Sequence, residues 1–214
     1  MKITGLLFLL IATVIAMGYF FWNKPTFDPV NKKYSVHVKE SKANKTVNLH
    51  LKDKAATIRN YVETGNYNTT VCFLIDMRMS SGKKRFFVYN LEKDSVEMAG
   101  LVTHGSGSDK AGSAVFFSNV TGSNCTSLGK YKIGKSYNGK FGLAYKLYGL
   151  DKTNSNAFER FVVLHSHSCV PESEIFPAAI CESWGCPTVS PAFLQSLKKY
   201  IDHSEKPILL NIYY

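Results

Sequence analysis

Residues 3–22 form an almost unbroken apolar run, with Lys2 before it and Asn23, Lys24 and Pro25 after it. About 20 helical residues at roughly 1.5 Å rise span the ~30 Å of a hydrocarbon core. A cleaved leader has a shorter apolar stretch and small residues at its cleavage site. Here Tyr19, Phe20, Phe21 and Trp22 stand where small residues would be needed. The pattern predicts one N-terminal hydrophobic helix over residues 1–22, read as an uncleaved anchor in preference to a cleaved signal. Tyr19 and Trp22 suit an interfacial belt. Lys24, Lys32 and Lys33 follow the run and oppose export, but large domains translocate largely regardless of such charges. The expectation is therefore a cytoplasmic-membrane anchor with the remaining chain outside the membrane.

Residues 23–45 are polar and Lys-rich and contain Pro25 and Pro29, which reads as a linker. Residues 46–214 read as one folded domain. In it Leu51, Ala55, Ile58 and Val62 recur at helical spacing, with Gly65 as a stop. The pattern then changes. Residues 71–75 are a continuous apolar run, 85–89 are aromatic and β-branched, 90–94 form a polar turn, and 95–103 read as a further strand. A Gly/Ser-rich stretch over 104–127 predicts a long loop, and loops of that length in a compact domain usually carry function. Residues 130–137 and 140–150 read as two more strands. The short apolar run 161–164 predicts a central buried strand. Ser190 followed by Pro191 marks a helix start. Leu194, Leu197 and Ile201 supply its apolar stripe, and Pro207 leads into a last strand over 208–213. The expected fold class is mainly β with peripheral helices.

Composition narrows the class without changing that picture. The 214 residues are 45% hydrophobic and 20% charged, which is globular usage. A formal net charge of +10 favours anionic surroundings, but no nucleic-acid module is visible, so no nucleic-acid partner is expected. The five cysteines are Cys72, Cys125, Cys169, Cys181 and Cys186. An odd count outside the cytoplasm leaves at least one thiol free or paired between chains. With Cys186 free, Cys169–Cys181 and Cys72–Cys125 are possible bridges, and free buried thiols are the alternative.

The candidate chemistry lies in two short segments. Glu182-Ser183-Trp184-Gly185-Cys186-Pro187 sets a cysteine between Gly and Pro, and a strand-like run ends in Val163-Leu164-His165-Ser166-His167. The thiolate is the nucleophilic form of cysteine, so a reactive Cys needs a neighbour that takes its proton. Gly185 leaves room for substrate, and backbone N–H groups there are candidate oxyanion donors. A zinc site is the competing pattern, with His165, His167 and Cys169 at alternate positions and Cys181 and Cys186 further on. No Cys-x-x-Cys pair is present, so the thiol reading is preferred and neither metal nor cofactor is expected.

These segments resemble the murein L,D-transpeptidase catalytic-domain family, the cysteine enzymes that remodel peptidoglycan. The resemblance runs from about Val71 to Val189 and rests most on Ser183-Trp184-Gly185-Cys186-Pro187 and Val162-Val163-Leu164-His165. His104-Gly105-Ser106-Gly107-Ser108, Phe117-Ser118-Asn119, Ser127-Leu128-Gly129 and Gly149-Leu150-Asp151 add to it. It implies an L,D-transpeptidase-like β-sandwich and an acyl transfer on peptidoglycan stem peptides, without a cofactor. It further implies Cys186 as nucleophile, His165 as proton carrier and Ser166 as an aid to its orientation. Ser183, Trp184 and Gly185 would shape the pocket, with His104 nearby. Trp184 and Pro187 place the chain with the Ser-x-Gly-Cys-Pro branch. Glu182 departs from that branch, which commonly has a basic residue there. A non-catalytic wall-binding protein that keeps the fold is the alternative from another class.

Overall fold

The computed structural model describes residues 42–108 and 115–214. The predicted hydrophobic helix over 1–22 and most of the 23–45 linker lie outside the described residues. Among the described residues no helix is long and apolar enough to cross a membrane.

Helix α1 spans Lys42–Glu63, so the last residues of the predicted linker are helical. Its spaced residues Leu51, Ala55, Ile58 and Val62 are all buried, at 2% exposure or less. Eight strands follow: β1 Val71–Asp76, β2 Phe86–Asn90, β3 Ser95–Gly100, β4 Gly129–Gly139, β5 Gly142–Gly149, β6 Val163–Ser166, β7 Thr188–Val189 and β8 Leu209–Tyr213. Helix α2, Pro191–Asp202, lies between β7 and β8. The domain is thus mainly β with helices packed on it, as the pattern predicts.

The strands hydrogen-bond in the order β3-β2-β1-β8-β4-β5-β6-β7. β8 is the hinge of that order: it runs parallel to β1 and antiparallel to β4, so the last strand joins the two meanders. Alternation divides its side chains between the two faces. Leu210 and Ile212 enter the larger apolar cluster, and Leu209 and Tyr213 the smaller one beneath α1. In β1, Phe73 and Ile75 likewise separate from Cys72 and Leu74. The larger cluster collects residues from both ends of the strand order, Phe86 and Val88 with Leu164 and Val189, together with Phe193, Leu194 and Leu197 of α2. The sheet therefore curls over one core. Past β3 the curl is closed, because Val102 bridges Val189 of β7.

Ser190 caps α2 as its sequence predicts: its hydroxyl accepts from the Phe193 N–H at 3.3 Å and donates to Glu172 Oε2 at 2.7 Å. Two expectations are corrected. The run 161–164 is not a central strand. β6 starts only at Val163 and lies next to the end of the order, while Phe161 has φ 55° and is 84% exposed. A left-handed backbone at Phe161 turns its ring away from the core. Cys72 and Cys125 do not pair; both are free and buried. Cys72 points into the cluster under α1, whereas the Cys125 carbonyl lies beside Gly185. Burial pushes the Cys72 thiol up to about 12, which makes it an inert core residue.

Truncating Ile58, which α1 inserts into the smaller cluster, should cost about 2–5 kcal/mol. The check is chemical denaturation of Ile58→Ala, with an unchanged far-UV spectrum before the transition.

Candidate active site

β6 and β7 run parallel, with His165 opposite Thr188 and Ser166 opposite Val189. Cys186 ends the turn that enters β7, so thiol and imidazole reach one cavity. This cavity, of about 210 Å³, is lined by Cys186, His165 and Thr188, with Thr103, His167 and Cys169 adjoining. Phe141, Glu182, Ser183 and Trp184 complete its wall.

The cysteine turn is held by its own side chains. The Ser183 hydroxyl donates to the Cys186 carbonyl at 2.6 Å and accepts from the Gly185 N–H at 3.2 Å. The Gly185 amide therefore already has a partner inside the turn. Thr103 Oγ1 also donates to the Cys186 carbonyl, at 3.1 Å. Gly185 has φ +106°, and a Cβ there would stand 2.7 Å from the Cys125 carbonyl oxygen. Only glycine fits both constraints. The 115–128 segment is braced in turn by Arg160. Its guanidinium donates to the Ser118 carbonyl at 3.0 Å, to Ser127 Oγ at 2.9 Å and to the Cys125 carbonyl at 2.7 Å.

His165 has a defined tautomer. Its Nδ1 lies 3.2 Å from the Ser166 carbonyl, which can only accept, so Nδ1 carries the proton. Nε2 keeps its lone pair and accepts from the Thr188 hydroxyl at 3.0 Å. Ser166 meets the ring through its backbone carbonyl, not its side chain. Phe141 stacks on the imidazole, with centroids 5.2 Å apart and planes at 17°, and meets His167 edge-on. Burial holds the His165 pKa below its ordinary value of 6.5.

The Cys186 thiol donates to the Phe161 carbonyl at 3.7 Å and accepts from the Val163 N–H at 3.5 Å. Burial raises its pKa above 9.0, against the Val163 N–H and the Arg160 charge, which favour the thiolate. Cys186 and His165 therefore share a cavity as a neutral thiol and a neutral imidazole, each with another hydrogen-bond partner.

The remaining sequence-predicted residues fall around this pair. Trp184 is 80% exposed at the cavity wall. His104 lies behind the wall: Arg85 donates to its Nδ1 at 3.1 Å, and its Nε2 is 4.0 Å from Glu182 Oε1. Cys169 and Cys181 form a disulfide, which removes two sulfurs from the candidate zinc set. Among the described residues no three His, Cys, Asp or Glu side chains converge as a metal-binding group. Sequence reasoning missed Thr188, Thr103 and Phe141. Phe141 did carry a signal, since an aromatic side chain at the tip of the tight Gly139-Lys140-Phe141-Gly142 hairpin is out of place structurally.

Residues 42–210 match the family profile described as the L,D-transpeptidase catalytic domain. The chain belongs to that family. Among solved structures it is similar to the helical cell shape determining protein Pgp2 of Campylobacter jejuni, at 13% identity and TM-score 0.43, covering 76% of this chain and 55% of that one. It is also similar to an L,D-transpeptidase from Xylanimonas cellulosilytica (16%, TM-score 0.37, 67% and 60%) and to Bd1075 of Bdellovibrio bacteriovorus (16%, TM-score 0.42, 67% and 48%). The chain spans 48–60% of the length of these three structures. Among curated protein sequences none matches it.

If neutral His165 takes the thiol proton, the rate of Cys186 acylation should rise with pH through a midpoint below 6.5 and stay level from there towards 9.0. Single-turnover acylation across that range measures it. A midpoint above 6.5 would exclude buried His165 as the base. Thr188→Val should move that midpoint upward, because Nε2 loses a hydroxyl donor that favours the neutral imidazole, while Thr188→Ser should restore it.

Proposed function

We propose that this domain is a cysteine acyltransferase acting on peptidoglycan stem peptides in the cell envelope. The observation that carries the reading is the shared cavity. A thiol on a glycine turn and an imidazole of fixed tautomer open onto the same 210 Å³ space. The family profile over 42–210 supplies the substrate class.

The reaction begins with the thiol leaving the Phe161 carbonyl and turning towards His165 Nε2. The Thr188 hydroxyl, which donates to Nε2 at rest, rotates away as the thiol arrives. His165 takes the thiol proton as sulfur attacks the carbonyl of the third stem residue. As the C–N bond breaks, the proton passes to the departing amine of the terminal D-amino acid, which leaves a thioester. With the Gly185 N–H given to Ser183 and the Val163 N–H to the sulfur, the Cys186 N–H is the turn's donor to the developing oxyanion, a contribution of about 10²–10³-fold. An acceptor amine then gives cross-linking, and water gives the carboxypeptidase outcome. The Cys169–Cys181 disulfide fits an oxidising compartment outside the cytoplasm. A hydrophobic anchor over 1–22 would hold the domain at the cytoplasmic membrane, beside its substrate.

The test is incubation with tetrapeptide muropeptides and intact-mass analysis. Wild-type protein should gain a thioester adduct and release the terminal residue. Cys186→Ala should do neither while melting within a few degrees of wild type. His165→Ala should slow acylation by about 10²–10⁴-fold without abolishing binding. Muropeptide binding without any adduct would favour the non-catalytic wall-binding reading. An adduct that persists in Cys186→Ala would overturn the assignment of the nucleophile.

A further inference from the structure

The wall of the cavity carries one carboxylate, Glu182, and no lysine or arginine. That is unexpected in a chain whose formal net charge is +10. We propose that Glu182 is the specificity-determining residue for the acceptor, holding the ammonium group of the incoming stem peptide beside the Cys186 thioester. This rests on the acyl-transfer reading above.

Glu182 stands at the cavity wall beside a histidine that is itself fixed. The buried Arg85 guanidinium donates to His104 Nδ1, so the His104 proton sits on Nε2, which faces Glu182 Oε1 at 4.0 Å. Arg85 is itself fixed by the Val102 and Met79 carbonyls, at 2.9–3.1 Å. The Glu182 side chain is 40% exposed, so it stays open to solvent and to an incoming ligand. Two residues along, the exposed Trp184 indole lines the same cavity and offers the aromatic face that binds an ammonium best. Phe141 does not compete for that role, because His165 stacks on it and the Lys140 ammonium lies 5.7 Å from its centroid.

The sign of the charge assigns Glu182 to the second half of the reaction. The acceptor brings an ammonium, which Glu182 attracts. Near the thioester the ammonium gives one proton to water. The freed amine attacks the thioester carbonyl, so the C–N bond forms as the C–S bond breaks. The amine's surplus proton passes through His165 Nε2 to the Cys186 thiolate, which restores the free thiol.

A chemical cycle in binding tests Glu182 without needing turnover. Cys186→Ala protein is titrated with a muropeptide carrying a free side-chain amine and with its N-acetylated form. Acetylation should weaken binding about tenfold with Glu182 present and less than twofold with Glu182→Gln added. An equal penalty in both proteins, or none in either, overturns the proposal. In the enzyme with Cys186 intact, Glu182→Gln should move the partition of the thioester about tenfold from aminolysis towards hydrolysis, and Glu182→Asp should recover most of it. An unchanged partition also overturns the proposal. Failure of any muropeptide to acylate Cys186 would instead sink the acyl-transfer reading, and the binding cycle would still decide Glu182.

Discussion

The two ends of the strand order meet at one seam, and the site exists because of it. Beyond β3 the chain crosses to β7, where the Thr103 N–H donates to the Thr188 carbonyl at 2.9 Å and the Thr188 N–H to Thr103 Oγ1 at 3.1 Å. Further along, the Ser183 N–H donates to the His104 carbonyl and the Ser106 N–H to the Ser183 carbonyl, at 2.9 and 2.8 Å. Without this seam, His104 and Thr103 would belong to one edge of the sheet and Cys186 and Thr188 to the other. With it, buried backbone groups on both edges are paired, and the cysteine turn is fixed from two directions. The Cys186 carbonyl shows the consequence. Ser183 and Thr103 hydroxyls take it at 2.6 and 3.1 Å, so its two lone pairs are already engaged. Thr188, at 3.5 Å, is the weakest of the three claimants and is therefore the hydroxyl left over for His165.

Much of this fold was legible because one face of each element is buried. The α1 spacing of Leu51, Ala55, Ile58 and Val62, the Ser190-Pro191 start of α2, and the apolar runs of β1, β2 and β8 all reflect that constraint. The misreadings have a physical cause as well. At 161–164 hydrophobicity alone does not distinguish a strand from a turn that exposes an aromatic ring, and Phe161 is the latter. β7 has two residues, too few for any period. In the site, Cys186 and His165 were legible as residue types in a recognisable pattern. Thr188 was not, since a threonine two residues past a cysteine carries no signal until β6 and β7 pair and set it against His165.

Burial acts on the two reacting groups in opposite pKa directions with the same effect, since it disfavours charge on each. The thiol is held above its ordinary value and the imidazole below, so the resting pair is neutral. That choice has a reason in the surroundings. The cavity that exposes Cys186 is also lined by Cys169, whose sulfur is bonded to Cys181. A resting thiolate would sit in the same space as a disulfide, and thiolate attack on sulfur is how disulfides exchange. A neutral thiol, donating to the Phe161 carbonyl, leaves that bond alone. Reactivity then has to come with the substrate, whose carbonyl needs the electron pair at the moment His165 can take the proton. The make-up of the wall explains why a single carboxylate can select the acceptor. Glu182 is the one carboxylate among the residues that line the cavity, and no lysine or arginine stands there to repel an incoming ammonium.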